Sequence, residues 1–479
     1  MPPPTSLATA LTLLVADTNI AALNPMTNET RNRTFALIVL FGINTMNFYD
    51  RMILAAVAEP IRKEWSLSDS ELGLLGTAFT LLYAFVGVPF GRMADTQPRK
   101  WLLGAGCALW SLLTAVSGMA QNFWTLFAAR LGVGVGEASC APAANSLIGD
   151  LYPPKQRSRA LSIFMLGLPV GMFLSFLISG RVAHAYGWRM AFYVACVPGL
   201  VLSILVLWMR EPKHGSSEGR VDKAHRPGSP YLVLLGIPTI LWIIVSGALH
   251  NFNMLAASSF MTAFLARYHA LDLKQAAFAA SLIFGVSGAV GLLAGGWAAD
   301  RFGGARTNGR LMLSAWTMVL ASPCVYLALR QPGGASGNVV SFVLLMGSGL
   351  AFVYVYYSSV YAAIQDVVEP RLRGTAMAIY FFAMYVLGGS LGPWGTGLLS
   401  DYFARRAMTA AGATAMTEQF KAVGLHGAMH VIPVLCLVLA VVLYAASRTV
   451  GRDMERLREW QAARAMETAG RGSSLKPAD

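Results

Sequence analysis

The chain has 479 residues, 55% of them hydrophobic and only 13% charged, with a formal net charge of +13. This balance, at a mean hydropathy of +0.53, excludes an ordinary soluble globular protein and predicts a polytopic membrane protein. A nucleic-acid binder is also excluded, because the basic residues are spread over short loops between apolar runs rather than gathered into one patch.

Ahead of the first apolar run there is no Lys or Arg until Arg31. That is a poor secretory signal, so residues 1–33 are expected to be a tail and the first membrane helix the insertion signal. Runs of about 20 apolar residues predict twelve membrane helices at 35–60, 71–92, 100–120, 123–149, 158–184, 189–210, 233–265, 274–299, 310–330, 339–366, 374–402 and 426–447. The first contains Asn47-Phe48-Tyr49-Asp50-Arg51 near its middle. A charge at that depth costs roughly 2.5–3.5 kcal/mol on insertion scales. Asp50 and Arg51 therefore need protein partners or a wet cavity, and with Tyr49 they are candidate functional residues. The bland alternative is an ion pair that only fixes helix packing.

After the second helix the chain reads GRMADTQPRK, with Gly91, Asp95, Arg99 and Lys100. The fourth helix contains ARLGVGVGEA, with Arg130 and Glu137 seven residues apart and so on one face, about 10.5 Å from each other. Its glycines invite close approach of another helix, expected to be the first. Charge balance then pairs Asp50 with Arg130 and Glu137 with Arg51. The GVGVG run is not a phosphate loop, since it lies inside a membrane helix and no Lys-Ser or Lys-Thr follows.

The stretch EPKHGSSEGRVDKAHRPGSP, polar and rich in Gly and Pro, reads as a linker over 211–230 between bundles at 34–210 and 231–447. The seventh helix offers His250, Asn251 and Asn253, where a hydrogen-bonded core histidine is the plain expectation. The first-loop pattern returns about 205 residues on as GWAADRFGGAR, with Asp300 and Arg301. A second echo sets RSRALSIF, with Arg157 and Arg159, against RLRGTAMAIYFF, with Arg371 and Arg373. The tenth and eleventh helices carry YVYYSSVY and YFFAMY, including Tyr356, Tyr357, Tyr380 and Phe381. No Asp, Glu, Lys or Arg lies deep within helices seven to twelve. The tail, 448–479, alternates acids and bases at helical spacing and is expected to form a short surface helix or a solvated one.

An even helix count puts both termini on one side, and that side holds about 25 of the 37 Lys and Arg. The bias predicts cytoplasmic termini. Five cysteines, at 107, 140, 196, 324 and 436, fall inside apolar segments, which is neither a disulfide framework nor a metal site. No cofactor motif is present, and the dispersed histidines supply no catalytic arrangement, so an enzyme is not expected.

The Gly-x-x-x-Asp loops, Arg130 in ARLGVGVGEA and the six-plus-six layout resemble the major facilitator superfamily. Within it, NFYDRMILAAVAEPIRKEWSLSDSELGLLGTAF and RLGVGVGEASCAPAANSLIGDLYPPKQRSRA look like the spinster family, here a bacterial member. Thr96 and Pro98 depart from the superfamily loop, where Arg and Gly are usual. The resemblance implies an all-α membrane protein of twelve helices in two pseudo-symmetric bundles. It also implies alternating access and a lysophospholipid-like or sphingoid-phosphate-like substrate. Organic-anion symporters of the same superfamily carry a similar first-helix motif, so a sugar-acid symporter is the rival within the fold. A membrane sensor that binds without transport is the rival outside it.

The expected machinery follows. Asp50 and Glu137 are the proton sites. Arg51 and Arg130 neutralise them or bind an anionic headgroup. His250, Asn251, Tyr356, Tyr357, Tyr380 and Phe381 form an aromatic, mildly polar wall. Asp95, Arg99, Arg159, Asp300, Arg301 and Arg373 form a cytoplasmic gate of inter-half bonds. The expected partners are membrane lipids, protons and a small amphipathic or anionic substrate, in a monomer of the bacterial inner membrane.

Overall fold

The computed structural model describes residues 28–212, 230–334, 337–369 and 372–473. The N-terminal tail to residue 27 and most of the expected linker lie outside the described residues. Among the described residues all regular structure is helical, and it forms twelve spans. The first is Asn28–Ala56, continued past a break at Val57 by Ala58–Trp65. The second and third are Asp69–Thr96 and Arg99–Gly118. The fourth comprises Phe123–Glu137 and Cys140–Leu151. The fifth runs through Pro154–Met165, Gly167–Leu174 and Gly180–Tyr186, and the sixth is Trp188–Leu205.

The seventh, Pro238–Tyr268, is preceded by the short helix Pro230–Leu235. The eighth comprises Leu273–Ser281 and Ser287–Ala305. Gly309–Leu329 and Val339–Val367 are the ninth and tenth. The eleventh comprises Arg373–Ala383 and Leu391–Ala410, and the twelfth Glu418–Met429 and Val431–Ser473. The expected tail helix is thus a continuation of the last span through Ser473 rather than a separate surface segment. With no Pro or Gly pair to stop it after Gly451, and good helix formers throughout, propagation is the favoured outcome.

Local chemistry explains where spans begin. Ser68 and Glu71 form a reciprocal capping box at the start of the second span. Asn122, Asp272 and Asn338 accept from the backbone N–H of Thr125, Gln275 and Ser341 at 2.9, 2.7 and 3.0 Å. All four caps open even-numbered spans, on the loop face opposite the termini. Each satisfies an orphan donor, contributing about 1 kcal/mol.

Ten helices among the described residues are long and apolar enough to cross a membrane. The first and fourth spans fall outside that set. One is diluted by Asn44, Asn47, Asp50 and Arg51, and the other is broken after Glu137. Large apolar side chains stand outward, including Val201 at 50% exposure, Leu293 at 64% and Val441 at 68%, as lipid-facing positions require.

The glycines of the fourth span do not admit the first. A Cβ at Gly134 would lie 2.7 Å from the Phe79 carbonyl oxygen, and one at Gly136 would lie 2.8 Å from the Trp110 nitrogen. They seat the second and third spans instead. The first span is approached by the fifth, where a Cβ at Gly171 would meet the Thr45 carbonyl at 2.3 Å.

The halves are in contact on the loop face. There Gly73 lies under the Pro393 carbonyl, at 2.3 Å from a built Cβ, and Gly397 under the Asp69 carbonyl, at 2.2 Å. Farther along the second span, toward the termini, Gly87 and Gly91 have nothing within 4 Å. The halves thus pack backbone to backbone on the loop face, while the second span is uncrowded at Gly87 and Gly91 toward the termini.

Candidate functional site

Between the halves, near the middle of the first span, sits Arg51. Its Nε donates to Glu137 Oε2 at 2.9 Å, and the pair is nearly buried, with side-chain exposures of 8% and 0%. Asn47, one turn earlier, donates to the same oxygen at 2.9 Å. The other end of the guanidinium crosses to the second half, where Nη1 donates to the Tyr385 hydroxyl at 3.2 Å. The rings of Tyr83, Phe48 and Phe79 lie 4.3, 5.0 and 5.1 Å from its central carbon. A cation–π cage of this kind holds a guanidinium where water is scarce.

The expected pairing of Glu137 with Arg51 is what the structure contains. The other pairing differs. Arg130 Nη2 donates to the Asp50 main-chain carbonyl at 3.0 Å, not to its carboxylate. Both Asp50 carboxylate oxygens, and Arg130 Nε and Nη1, are buried without a hydrogen-bond partner. The carbonyl contact aims Arg130 along the first span and holds its fork short of the side chain. Tyr49 faces the fifth span: its hydroxyl accepts from Ser179 Oγ at 3.2 Å and its carbonyl from Ser175 Oγ at 2.7 Å.

The opposite wall is aromatic. His250 stacks on Tyr356 with centroids 3.9 Å apart and meets Tyr357 edge-on at 4.8 Å. It is fully buried, but neither ring nitrogen is hydrogen-bonded, so the core histidine is stacked rather than hydrogen-bonded as expected. Tyr380 donates to the Tyr356 hydroxyl at 3.1 Å, and Tyr356 exchanges a 2.8 Å bond with Ser246. Tyr361 joins Tyr357 to Tyr380 and Phe381 through ring contacts of 5.6–5.8 Å. Tyr356 and Tyr380 are buried, whereas Tyr357, Tyr361 and Phe381 are half-buried. Asn251 Nδ2 donates to the Met384 carbonyl at 3.1 Å.

On the face of the termini, the expected gate residues are dispersed. Arg99 is buried and pairs within its own half, with Asp150 and with Glu211, the latter at 3.0 Å. Arg159, Asp300, Arg301 and Arg373 are exposed. Asp300 lies 3.9 Å from Arg310, and Arg373 Nε donates to the Gln365 carbonyl at 3.2 Å, both within the second half. The side chain of Asp95 lies outside the described residues.

Among the described residues, Arg267 and Arg62 form ion pairs that cross between the halves on the loop face. Arg267, at the end of the seventh span, donates to Glu59 at 2.7 Å and to both oxygens of Asp69 at 2.8 and 2.9 Å. Arg62 bonds Glu59 and reaches Glu418 in the second half. Asp69 also accepts from Ser400 at 2.6 Å, and the Asp401 carboxylate receives the backbone N–H groups of residues 69 and 70 at 3.1 and 3.0 Å. A cavity of about 880 Å³ borders this latch, lined by Glu59, Lys63, Arg267, Tyr268, Glu418 and Gln419 among others. Sequence reasoning missed the latch, having counted Arg62 and Arg267 only as loop charges. The available signal was two acids, Glu59 and Asp69, on either side of the first loop on that face, and an Arg at the end of the seventh span.

Residues 40–393 match the model of the Major Facilitator Superfamily. An "MFS-type efflux pump" of Mycolicibacterium smegmatis is 31% identical over 76% of this chain and 84% of its own. "Protein spinster homolog 1" of Homo sapiens is 30% identical over 77% of this chain and 73% of its own. Among solved structures, a bacterial homologue of the human lysosomal transporter Spinster, inward-facing and unoccupied, superposes with a TM-score of 0.78. It is 26% identical and covers 90% of this chain and 99% of its own.

Proposed function

Because this chain belongs to the major facilitator superfamily, as a spinster-like transporter, we propose that it moves an amphipathic anion by proton-coupled alternating access. The observation that carries this reading is the placement of Arg51. It is held by Glu137 on one side and by Tyr385 of the opposite half on the other, at the head of a cleft whose far wall is aromatic. A single-chain lipid phosphate fits that layout, with the headgroup at Arg51 and the chain along Tyr357, Tyr361 and Phe381. The sequence resemblance to the spinster family implies a lipid of this class.

Coupling follows from charge. An anionic headgroup competes with Glu137 for the guanidinium. The carboxylate left without its cation in a low-dielectric site takes up a proton. Asp50, behind it, is the main proton site, and Arg130 the charge that opposes its protonation. When the cleft faces the other way, Arg159, Arg301 and Arg373 approach acids of the opposite half and shut the mouth on the face of the termini, while the Arg267 latch opens. The same reading places the termini in the cytoplasm of a bacterial inner membrane and the protein as a monomer.

The test is uptake of a labelled single-chain phospholipid into proteoliposomes, with and without an imposed pH gradient, for wild type and Asp50→Asn. Gradient-stimulated uptake that is lost in the variant is the expected result. Lipid uptake indifferent to both the gradient and the variant removes the coupling. Absence of lipid uptake, with sugar-acid counterflow in the same vesicles, transfers the site to small organic anions. Saturable binding with no counterflow of either makes the protein a sensor.

A further inference from the structure

Beside Asp50, the first, third, fourth and sixth spans enclose a set of polar groups that complement one another. Asp50 offers two acceptor oxygens. Trp110 Nε1, Arg130 Nε and Arg130 Nη1 are donors, and the Ser111 and Thr114 hydroxyls can be either. All of these atoms are buried, and none has a hydrogen-bond partner in the protein. The four residues other than Arg130 are 0% exposed, and Arg130 is 1% exposed.

Trp110, Ser111 and Thr114 occupy one face of the third span, at i, i+1 and i+4. Trp110 Nε1 points at the Asp50 carboxylate from the edge of hydrogen-bond reach, short of good geometry. Gly199 of the sixth span lets Ser111 in, since a Cβ there would lie 2.0 Å from the Ser111 Oγ and 3.8 Å from Trp110 Nε1. The other titratable groups that face Asp50 are Glu137 and Arg130 from the fourth span, and Cys107 and Cys196 from the third and sixth. Tyr49 and Arg51 flank it on its own helix.

Buried polar groups are almost always satisfied, by protein or by water. A site that holds water needs room and two to four polar partners per molecule, and this one supplies partners of both kinds. We propose that Trp110, Ser111, Thr114 and Arg130 form an internal hydrated pocket around Asp50, and that Asp50 exchanges its proton with water there rather than with the cleft. Trp110 is a positioning residue: its indole N–H supports the ionised carboxylate through a bound water, and the proton leaving the carboxyl oxygen passes to that water. The inference rests on the reading of Asp50 as the proton site.

Two measurements on the full-length protein test it. The first is the carboxyl C=O stretch assigned to Asp50 by its loss in Asp50→Asn, followed in H₂O and D₂O. A hydrated pocket gives a band that shifts in D₂O as soon as the buffer is exchanged. A band that does not shift shows a dry site and overturns the proposal. The second is the pH profile of lipid uptake in Trp110→Phe, which keeps the ring and removes the donor, with Ser111→Ala and Thr114→Val as variants that disturb packing less. The expected result is a displacement of the half-maximal pH by half a unit or more in Trp110→Phe, with near-normal uptake at the best pH. A profile that overlays the wild type in all three variants overturns it. If Asp50→Asn itself leaves gradient-driven uptake intact, the coupling reading fails separately, and the isotope shift still decides whether the pocket is wet.

Discussion

The two halves have one architecture and unlike chemistry. In the first, four charged side chains, Asp50, Arg51, Arg130 and Glu137, are set within the apolar thickness of the protein. In the second, the corresponding depth holds tyrosines, His250 and hydroxyls. Buried charge is costly and is retained only where it is paired or used. Aromatic surface is cheap to bury and tolerant of what lies against it. The contrast teaches that the buried charge is concentrated in one bundle, while the other supplies aromatic surface and hydroxyls. The charged side and the aromatic side meet through Arg51 and Tyr385.

The largest expected effect comes from breaking the ionic side. Arg51→Leu leaves Glu137 with only Asn47, and losing one partner of a buried pair costs about 3–5 kcal/mol. Thermal unfolding in detergent should show a large drop in midpoint, and uptake should vanish. Adding Glu137→Leu should restore much of the stability but none of the transport. Full recovery of transport in the double variant would make the pair a packing device.

Next is the latch, where the second half reaches into the first. Arg267→Ala removes charge-assisted hydrogen bonds worth about 1.5–3 kcal/mol, against acids that Arg62 and Ser400 still serve in part. A shift of that size moves the balance of cleft states tenfold or more. Spin labels at Lys63 and Gln419, across the cavity on the loop face, should report a longer distance in the variant. An unchanged distance distribution would mean that the backbone contacts at Gly73 and Gly397 hold the face shut on their own.

A smaller change is expected on the aromatic wall. Tyr380→Phe deletes one hydroxyl bond while Tyr356 keeps Ser246, so the cost is about 1 kcal/mol. Its effect on uptake should grow with the chain length of the lipid supplied. Uniform loss at every chain length would place Tyr380 at the headgroup instead.

The smallest effect serves as a control outside the membrane. Glu64 receives Arg189 at 2.7 and 3.0 Å and the Trp188 indole at 2.7 Å. The Arg189 bond holds its carboxyl below the ordinary glutamate value, even though slight burial pulls the other way. Stability from a depressed carboxylate is present above its unfolded value and lost as pH falls through the folded one. The pair is more than a third exposed, so Glu64→Gln should cost under about 1 kcal/mol. Any difference from wild type should shrink on acidification below pH 4.

The fold was legible because lipid demands it: long apolar runs have to be helices, and an even count puts both termini on one face. Asp50, Arg51, Arg130 and Glu137 were legible for the same reason, since a charge in an apolar run stands out in one dimension. Which partner each would take was not. The Asp50 carbonyl competes for Arg130, and a sequence does not show a carbonyl. Nor did it show that Gly134 and Gly136 face the second and third spans, because a helix has several faces and glycine marks only that one is crowded. The latch was illegible because Arg267 and Glu59 are about 208 residues apart, and at the ends of spans charged residues are ordinary.

The eleventh span carries a wide turn at Met384–Gly389, in which the Ser390 N–H reaches back five residues to the Tyr385 carbonyl at 2.9 Å. One extra residue in that turn leaves main-chain oxygens free for neighbours: Met384 accepts from Asn251, and the Ser390 carbonyl accepts from Thr77 of the other half. Deleting a single residue there would close the turn into an ordinary one and rotate all that follows by about 100°. Pro393 would swing off Gly73, and Gly397 off Asp69. The alignment of the whole interface on the loop face is thus encoded in the count of six residues, and in insertions and deletions, more than substitutions, this span should prove intolerant.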